Sequence, residues 1–307
     1  MTVQVPAGLR DQPGWDPTWA PWLDRLPRLV GDVLDDWGLT PEGEPAHGRC
    51  ALVLPVRTAD GAPAALKLGW PHEEARWEHL ALQHWHGHGA VRLLRADPAR
   101  WALLLERARP VDLTTVDDVT ACQVVGGLYR RLHRPPPPQL PRLSHLARGW
   151  ADRLQGLPND APLPRRLVEQ AASLARDLAD GPGVDTHLVH TDLHYENVLA
   201  AGREPWLAID PKPCAGDPAF EPAPMLWNRW PEVVADGRPR TALHRRLWAL
   251  VDAGGLDEDR ARAWVVVREM TNALWCIEAA TRARRPLTTA DRALLTRTVT
   301  LAKGVQD

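Results

Sequence analysis

Between residues 24 and 37 the apolar positions Leu26, Leu29, Val30, Val33 and Leu34 recur at helical spacing, and Gly38 follows as a stop. The period then changes. Residues 51–56 and 64–68 are short apolar runs on either side of Asp60-Gly61, which predicts an antiparallel hairpin with Lys67 on its second strand. Pro71, Glu73 and Glu74 form a helix start, because proline fits the first turn and carboxylates suit the positive end of the helix dipole. That helix is expected to run through Leu82 and Trp85 to about Gly87, and two more strands follow at 91–95 and 101–106. Strand, strand, helix, strand, strand makes a small α+β lobe covering residues 1–107.

Beyond residue 107 the pattern is helical, at 116–132, 144–154, 167–178, 241–251, 257–280 and 289–301. The four prolines at 135–138 make a stiff connector. The only later strand signals are 198–200 and 206–209, and no internal repeat is present. The expected fold class is therefore α+β with two lobes: a small antiparallel sheet plus helix in 1–107, and a larger, mainly helical lobe in 108–307. A chain of 307 residues is long for a single core, which agrees with two lobes.

Composition narrows the function classes. A formal net charge of -2 gives no electrostatic reason to expect nucleic acid or an anionic membrane as partner. The four cysteines are scattered, without a C-x-x-C pair, which argues against a disulfide framework or structural zinc and fits a reducing compartment. Residues 1–15 lack the basic start and apolar stretch of a signal peptide, and no run approaches the roughly 20 apolar residues of a membrane span. A cytoplasmic protein, monomeric by default, is expected. Lysine occurs only at 67, 212 and 303, all other basic side chains of this type being arginine. A lysine in such a chain marks places where a compact point charge serves and a planar fork does not.

The chemistry concentrates at His190-x-Asp192, with Asn197 five residues on and Asp210 after a short apolar run. Phosphoryl transfer needs an acceptor hydroxyl positioned, Mg²⁺ held on the phosphate oxygens, phosphate charge neutralised and adenine held. The chain offers a candidate for each in order. Asp192 would accept or orient the hydroxyl proton, and Asn197 and Asp210 would hold Mg²⁺ through hard oxygens. Lys67 would contact the α and β phosphates, braced by a glutamate on the next helix; Glu78 is preferred and Glu74 is the alternative. His190 would brace the loop. His190, Asp192 and His194 also have the donor types of a transition-metal site, but no further His/Cys cluster at ligand spacing completes it. A Walker phosphate loop is absent, and Gly48 is the sole candidate for a loop over the phosphates.

Residues 190–199, followed by 203–213 (REPWLAIDPKP) and 216–220 (GDPAF), resemble the aminoglycoside/hydroxyurea antibiotic-resistance kinases, and within them the streptomycin 6-phosphotransferase group. The stretch 51–94 and the run Leu103-Leu-Leu-Glu-Arg107 look like that family's small lobe and hinge. The resemblance implies a protein-kinase-like fold, ATP as donor with Mg²⁺, and an aminoglycoside or related aminocyclitol hydroxyl as acceptor. It also implies adenine contacts from the backbone around Glu106 and Ala108. Thr191 stands where the family more often has glycine, and Glu221-Pro222 where Asp-Leu is expected. Streptomycin carries two guanidinium groups, so its pocket should present carboxylates and hydrogen-bond acceptors. Asp217, Glu221, Glu269 and Asn272 are the candidates, and Trp227, Trp230 and Trp275 are candidates to line a sugar pocket. The competing readings are a kinase for another small metabolite, such as a sugar, an amino alcohol or a hydroxyurea-like compound, and a catalytically idle nucleotide-binding pseudokinase.

Overall fold

The computed structural model describes residues 4–12 and 16–306; of the N-terminal stretch read above for a signal peptide, residues 1–3 and 13–15 lie outside the described residues. The chain divides into two compact units, Met1–Pro110 with Leu199–Lys212, and Val111–Val198 with Pro213–Asp307.

The first unit opens with α1 (Ala7–Arg10) and α2 (Trp19–Trp37). It continues through β1 (Thr40–Pro41), β2 (Ala46–His47), β3 (Ala51–Arg57), β4 (Pro63–Gly69), α3 (Glu78–Trp85), β5 (Leu93–Asp97) and β6 (Ala102–Glu106). The strands pair antiparallel in the order β1-β3-β4-β6-β5, with β2 also on β3. Period two along the strands sorts the sheet's faces. Leu52, Leu54 and Val56, with Leu66, Leu68 and Leu104, pack into one core with Trp22, Leu26, Val30 and Val33 of α2. Each such side chain contributes about 1.5–3 kcal/mol when fully buried. Lys67 alternates with Leu66 and Leu68, so it points from the opposite face, in register with Val53 and Leu103. Gly38 ends α2 in the left-handed conformation (φ 62°), as a glycine stop should.

Three local expectations are corrected here. The helix expected from Pro71 to Gly87 is two pieces: a 3₁₀ turn at Glu73–Ala75, an interruption at Trp77 (φ -106°, ψ 5°), and α3. The break sets Glu78 in the first turn of α3. The strand expected at 91–95 is Leu93–Asp97, because Val91 N–H donates to Ala208 O at 3.0 Å instead of joining the sheet ladder. For the same reason a single cut at residue 107 misses a returning segment. Ala208 N–H bonds Gly89 O at 2.8 Å, Arg109 N–H bonds Ala200 O at 2.8 Å, and the Arg203 guanidinium grips Glu106 at 2.8 Å, which ties Leu199–Lys212 to the first unit.

The second unit is helical: α4 (Asp118–Leu132), α5 (Leu143–Gln155), α6 (Arg165–Asp180), the short α7 (Ala223–Trp227) and α8 (Trp230–Val234), then α9 (Pro239–Gly254), α10 (Glu258–Arg282) and α11 (Thr289–Gly304). α4 packs on α9, α5 on α6, and α10 on α11 and α6. The sequence reading missed one strand pair here: His187–Val189 runs antiparallel to Cys214–Gly216, immediately before the His190 loop. Segments of three residues are too short to show a period, and their pairing is long-range. No helix among the described residues is long and apolar enough to cross a membrane.

Candidate active site

In the first unit the structure brings Lys67, Glu78 and Asp210 together. The Lys67 ammonium donates to both carboxylate oxygens of Glu78, at 2.6 and 2.7 Å, and to Asp210 Oδ1 at 2.5 Å. The bracing residue is thus Glu78. Burial, the largest single influence, pulls the Lys67 pKa down, but the two carboxylates outweigh it and hold the amine well above its ordinary value. Glu78 is buried, while the Asp210 side chain is 40% exposed. Asp210 itself sits at φ 55°, a left-handed conformation that costs a non-glycine residue about 1–3 kcal/mol. Gly48 lies in the turn between β2 and β3, where its N–H bonds Ala51 O at 3.0 Å. A Cβ there would meet nothing within 4 Å, so the fold itself does not require glycine at that position. The Glu106 N–H is taken by Arg92 O at 2.9 Å and its carboxylate by Arg203, so neither of these groups is open to an adenine; Ala108, just beyond β6, remains the hinge candidate.

In the second unit the structure brings Asp192 and Asn197 together. Asn197 Nδ2 donates to the Asp192 backbone oxygen at 2.8 Å, so a cation held by this side chain would sit on its amide oxygen. A 3₁₀ turn at Tyr195–Asn197, with Asn197 N–H on His194 O at 2.9 Å, fixes the five-residue spacing. His190 is fully buried, and its Nδ1 accepts the Asp192 N–H at 3.3 Å. Tyr195 is buried beneath the loop with the guanidinium groups of Arg229 and Arg246 over its ring, at 4.9 and 5.7 Å. Thr191 has φ 63°, the conformation that makes glycine the inexpensive residue at this position.

Glu221, expected on the acceptor side, holds that loop instead. Its fully buried carboxylate accepts the N–H groups of His190 at 2.6 Å and Thr191 at 3.0 Å and lies 3.4 Å from His133 Nε2. Burial would raise this carboxyl, but the His133 bond and charge, the His190 ring and the His190 N–H together hold its pKa below the ordinary value. Asp217 is likewise consumed within the fold. It caps the turn at Pro218–Phe220 and accepts from Trp264 Nε1 at 2.6 Å and from Arg260. Both carboxylates are buried and taken up by backbone and core donors. Glu269 is fully buried on α10 with Asn272 Nδ2 3.5 Å away, and burial pushes its carboxyl up to about 8. Among the described residues no group of three His, Cys, Asp or Glu is placed to hold a metal ion by itself.

A strand lysine braced by a helical glutamate, and a separate loop carrying an aspartate and an asparagine, are the parts of which kinase-like phosphotransferases are built. The fold agrees. The chain superposes on an aminoglycoside phosphotransferase, APH(4)-Ia, solved as a ternary complex with ADP and hygromycin B, with a TM-score of 0.59 and 15% identity, covering 89% of this chain and 97% of that one. It also superposes on the choline kinase LicA of Streptococcus pneumoniae, with a TM-score of 0.59 and 13% identity, covering 92% and 99%. The sequence goes further. The model of the aminoglycoside/hydroxyurea antibiotic resistance kinases matches residues 36–280, and the chain belongs to that family. It is 42% identical to a streptomycin 6-kinase of Streptomyces glaucescens, over 86% of this chain and 87% of that protein. It is 43% identical to a hydroxyurea phosphotransferase of Kitasatospora aureofaciens, over 84% of this chain and 75% of that protein.

Proposed function

We propose that this chain transfers the γ-phosphate of ATP, with Mg²⁺, to a hydroxyl of a streptomycin-like aminoglycoside. The observation that carries the reading is kinship with two streptomycin 6-kinases at 42% and 40% identity over most of the chain. In this reading Lys67 binds the α and β phosphates, Glu78 fixes its position, and the backbone near Ala108 holds the adenine. Asp192 orients the acceptor hydroxyl and takes its proton as that oxygen bonds the γ-phosphorus and the bond from phosphorus to the departing ADP breaks. Asn197 would offer an amide oxygen and Asp210 a carboxylate oxygen, hard donors of the kind magnesium takes. When bound, magnesium would offset the negative charge of the phosphates. Inactivation of an antibiotic in the cytoplasm would follow from the reaction.

A second acceptor is favoured by two specific observations. The hydroxyurea phosphotransferase is as similar as the streptomycin kinases, and two of the carboxylates expected to receive guanidinium groups, Asp217 and Glu221, are turned inward. The product decides between them. Phosphorus NMR of a reaction with ATP and Mg²⁺ should show a new phosphate monoester with streptomycin. An ester formed with hydroxyurea and none with streptomycin would replace the first reading by the second.

A further inference from the structure

Arg268 projects from α10 into a ring of aromatic side chains. Its guanidinium carbon lies 5.0 Å from the centroid of Phe220, 5.6 Å from Trp227 and 5.8 Å from Trp275. Trp150 backs the enclosure, stacked on Phe220 at 5.9 Å and edge-on to Trp275 at 6.2 Å. Among the described residues no carboxylate forms an ion pair with Arg268, and its Nε is buried without a hydrogen-bond partner. Among the described residues the three rings are the close partners of this guanidinium, with the charge of the adjoining Glu269 carboxyl as a further influence. Trp227, Trp275 and Arg268 itself are each half-buried, so the cluster lies at the edge of the core. Phe220 directly precedes Glu221, so the enclosure is built on the turn whose next residue braces the Asp192 loop.

We infer that the Phe220–Trp227–Trp275 enclosure is a subsite for a guanidinium group of the acceptor, and that Arg268 fills it in the unliganded chain as a displaceable stand-in. The inference rests on the streptomycin-like reading above and deepens it. Exchange of one guanidinium for another keeps the attraction between cation and rings and breaks no ion pair; its cost is the reorientation of one long side chain that then carries its charge into water. A neutral acceptor such as hydroxyurea gains nothing from the rings. The subsite therefore sorts acceptors by charge, and it supplies on aromatic faces the recognition that Asp217 and Glu221 do not provide.

Steady-state kinetics of the full chain test this. Arg268→Ala vacates the rings and should lower KM for streptomycin severalfold, up to about tenfold. Trp227→Leu and Trp275→Leu should raise it by a comparable factor, while the KM for hydroxyurea follows none of them. A higher streptomycin KM in Arg268→Ala would make Arg268 itself the binding group and overturn the inference, as would an unmoved KM in all three variants. Calorimetry with methylguanidinium chloride separates the subsite from the acceptor reading. Binding to Arg268→Ala, and weaker binding to the parent chain, is expected whether or not streptomycin is phosphorylated; no binding to the variant refutes the subsite on its own. Arg268→Gln serves for both measurements should the alanine variant fail to fold.

Discussion

Replacing Glu221 by glutamine removes one charge and keeps nearly the same shape, so it isolates what the buried carboxylate does for the loop. The parent side chain receives two backbone N–H groups, at 2.6 and 3.0 Å, and lies 3.4 Å from His133 Nε2. Glutamine retains one oxygen and turns an NH₂ toward one of those donors. Hydrogen bonds to a charged group are worth about 1.5–3 kcal/mol, and a buried donor left unpaired costs about 1–3 kcal/mol more. A loss of roughly 3–5 kcal/mol is therefore expected. At about 2–4 °C per kcal/mol, melting should fall by roughly 6–20 °C. Thr191, held at φ 63° by its bond to Glu221, then has reason to relax, and Asp192 is the next residue. A shift of about 1 Å at a reacting group costs on the order of 100-fold in rate. Thermal melts and single-turnover rates should show a lower Tm, a kcat reduced about 10–100-fold and little change in KM for ATP. Because the pKa of Glu221 is held below the ordinary 4.5, its contribution is complete above that pH and is lost as pH falls through the folded value. The Tm gap between parent and variant should close accordingly under acid conditions. A variant that melts within about 2 °C of the parent, well short of the expected shift, with an unaltered kcat would refute the bracing role.

Four further outcomes follow from the same geometry. Lys67→Met strands the Glu78 carboxylate in the core and should destabilise the chain by about 3–5 kcal/mol in denaturant melts, with much of the loss recovered in Lys67→Met/Glu78→Gln; equal instability of the double variant would contradict the pairing. Asp192→Ala should abolish turnover while calorimetry still detects ATP, and a variant that turns over normally removes Asp192 as the base. Asp210→Ala should raise the Mg²⁺ concentration needed for half-maximal rate, and an identical requirement would exclude it as a ligand. The Glu269 carboxyl, raised from 4.5 to about 8 by burial, keeps its proton when folded. The parent should therefore lose stability as pH rises from about 4.5 to 8, by at most about 4–5 kcal/mol, and Glu269→Gln should flatten that slope. Parallel stability profiles for the two proteins would show that Glu269 does not titrate late.

What could be read from the sequence was whatever depends on near neighbours. The hairpin carrying Lys67, the glycine stop at Gly38 and the long helices of the second unit all announce themselves by period or by a single residue type. The Asp192-to-Asn197 spacing is legible because one short turn sets it. What stayed hidden depends on partners far away in the chain. Glu221 and Asp217 look like free carboxylates in a string of letters; only folding brings the N–H groups of His190 and Thr191 to one, and Trp264 and Arg260 to the other. The pair His187–Val189 and Cys214–Gly216 is similarly non-local. The interruption at Trp77 is local but has no breaker residue to mark it. The Thr191 backbone, at φ 63°, takes a conformation that glycine adopts at little cost, and the threonine standing there gives no sign of it.

The most direct test of the central claim is ADP production by the purified chain with ATP and Mg²⁺ across a panel of acceptors. Streptomycin should release ADP in proportion to the streptomycin added, kanamycin-type compounds should not, and Asp192→Ala should abolish the signal. Silence with streptomycin alongside release with an unrelated acceptor would contradict the account.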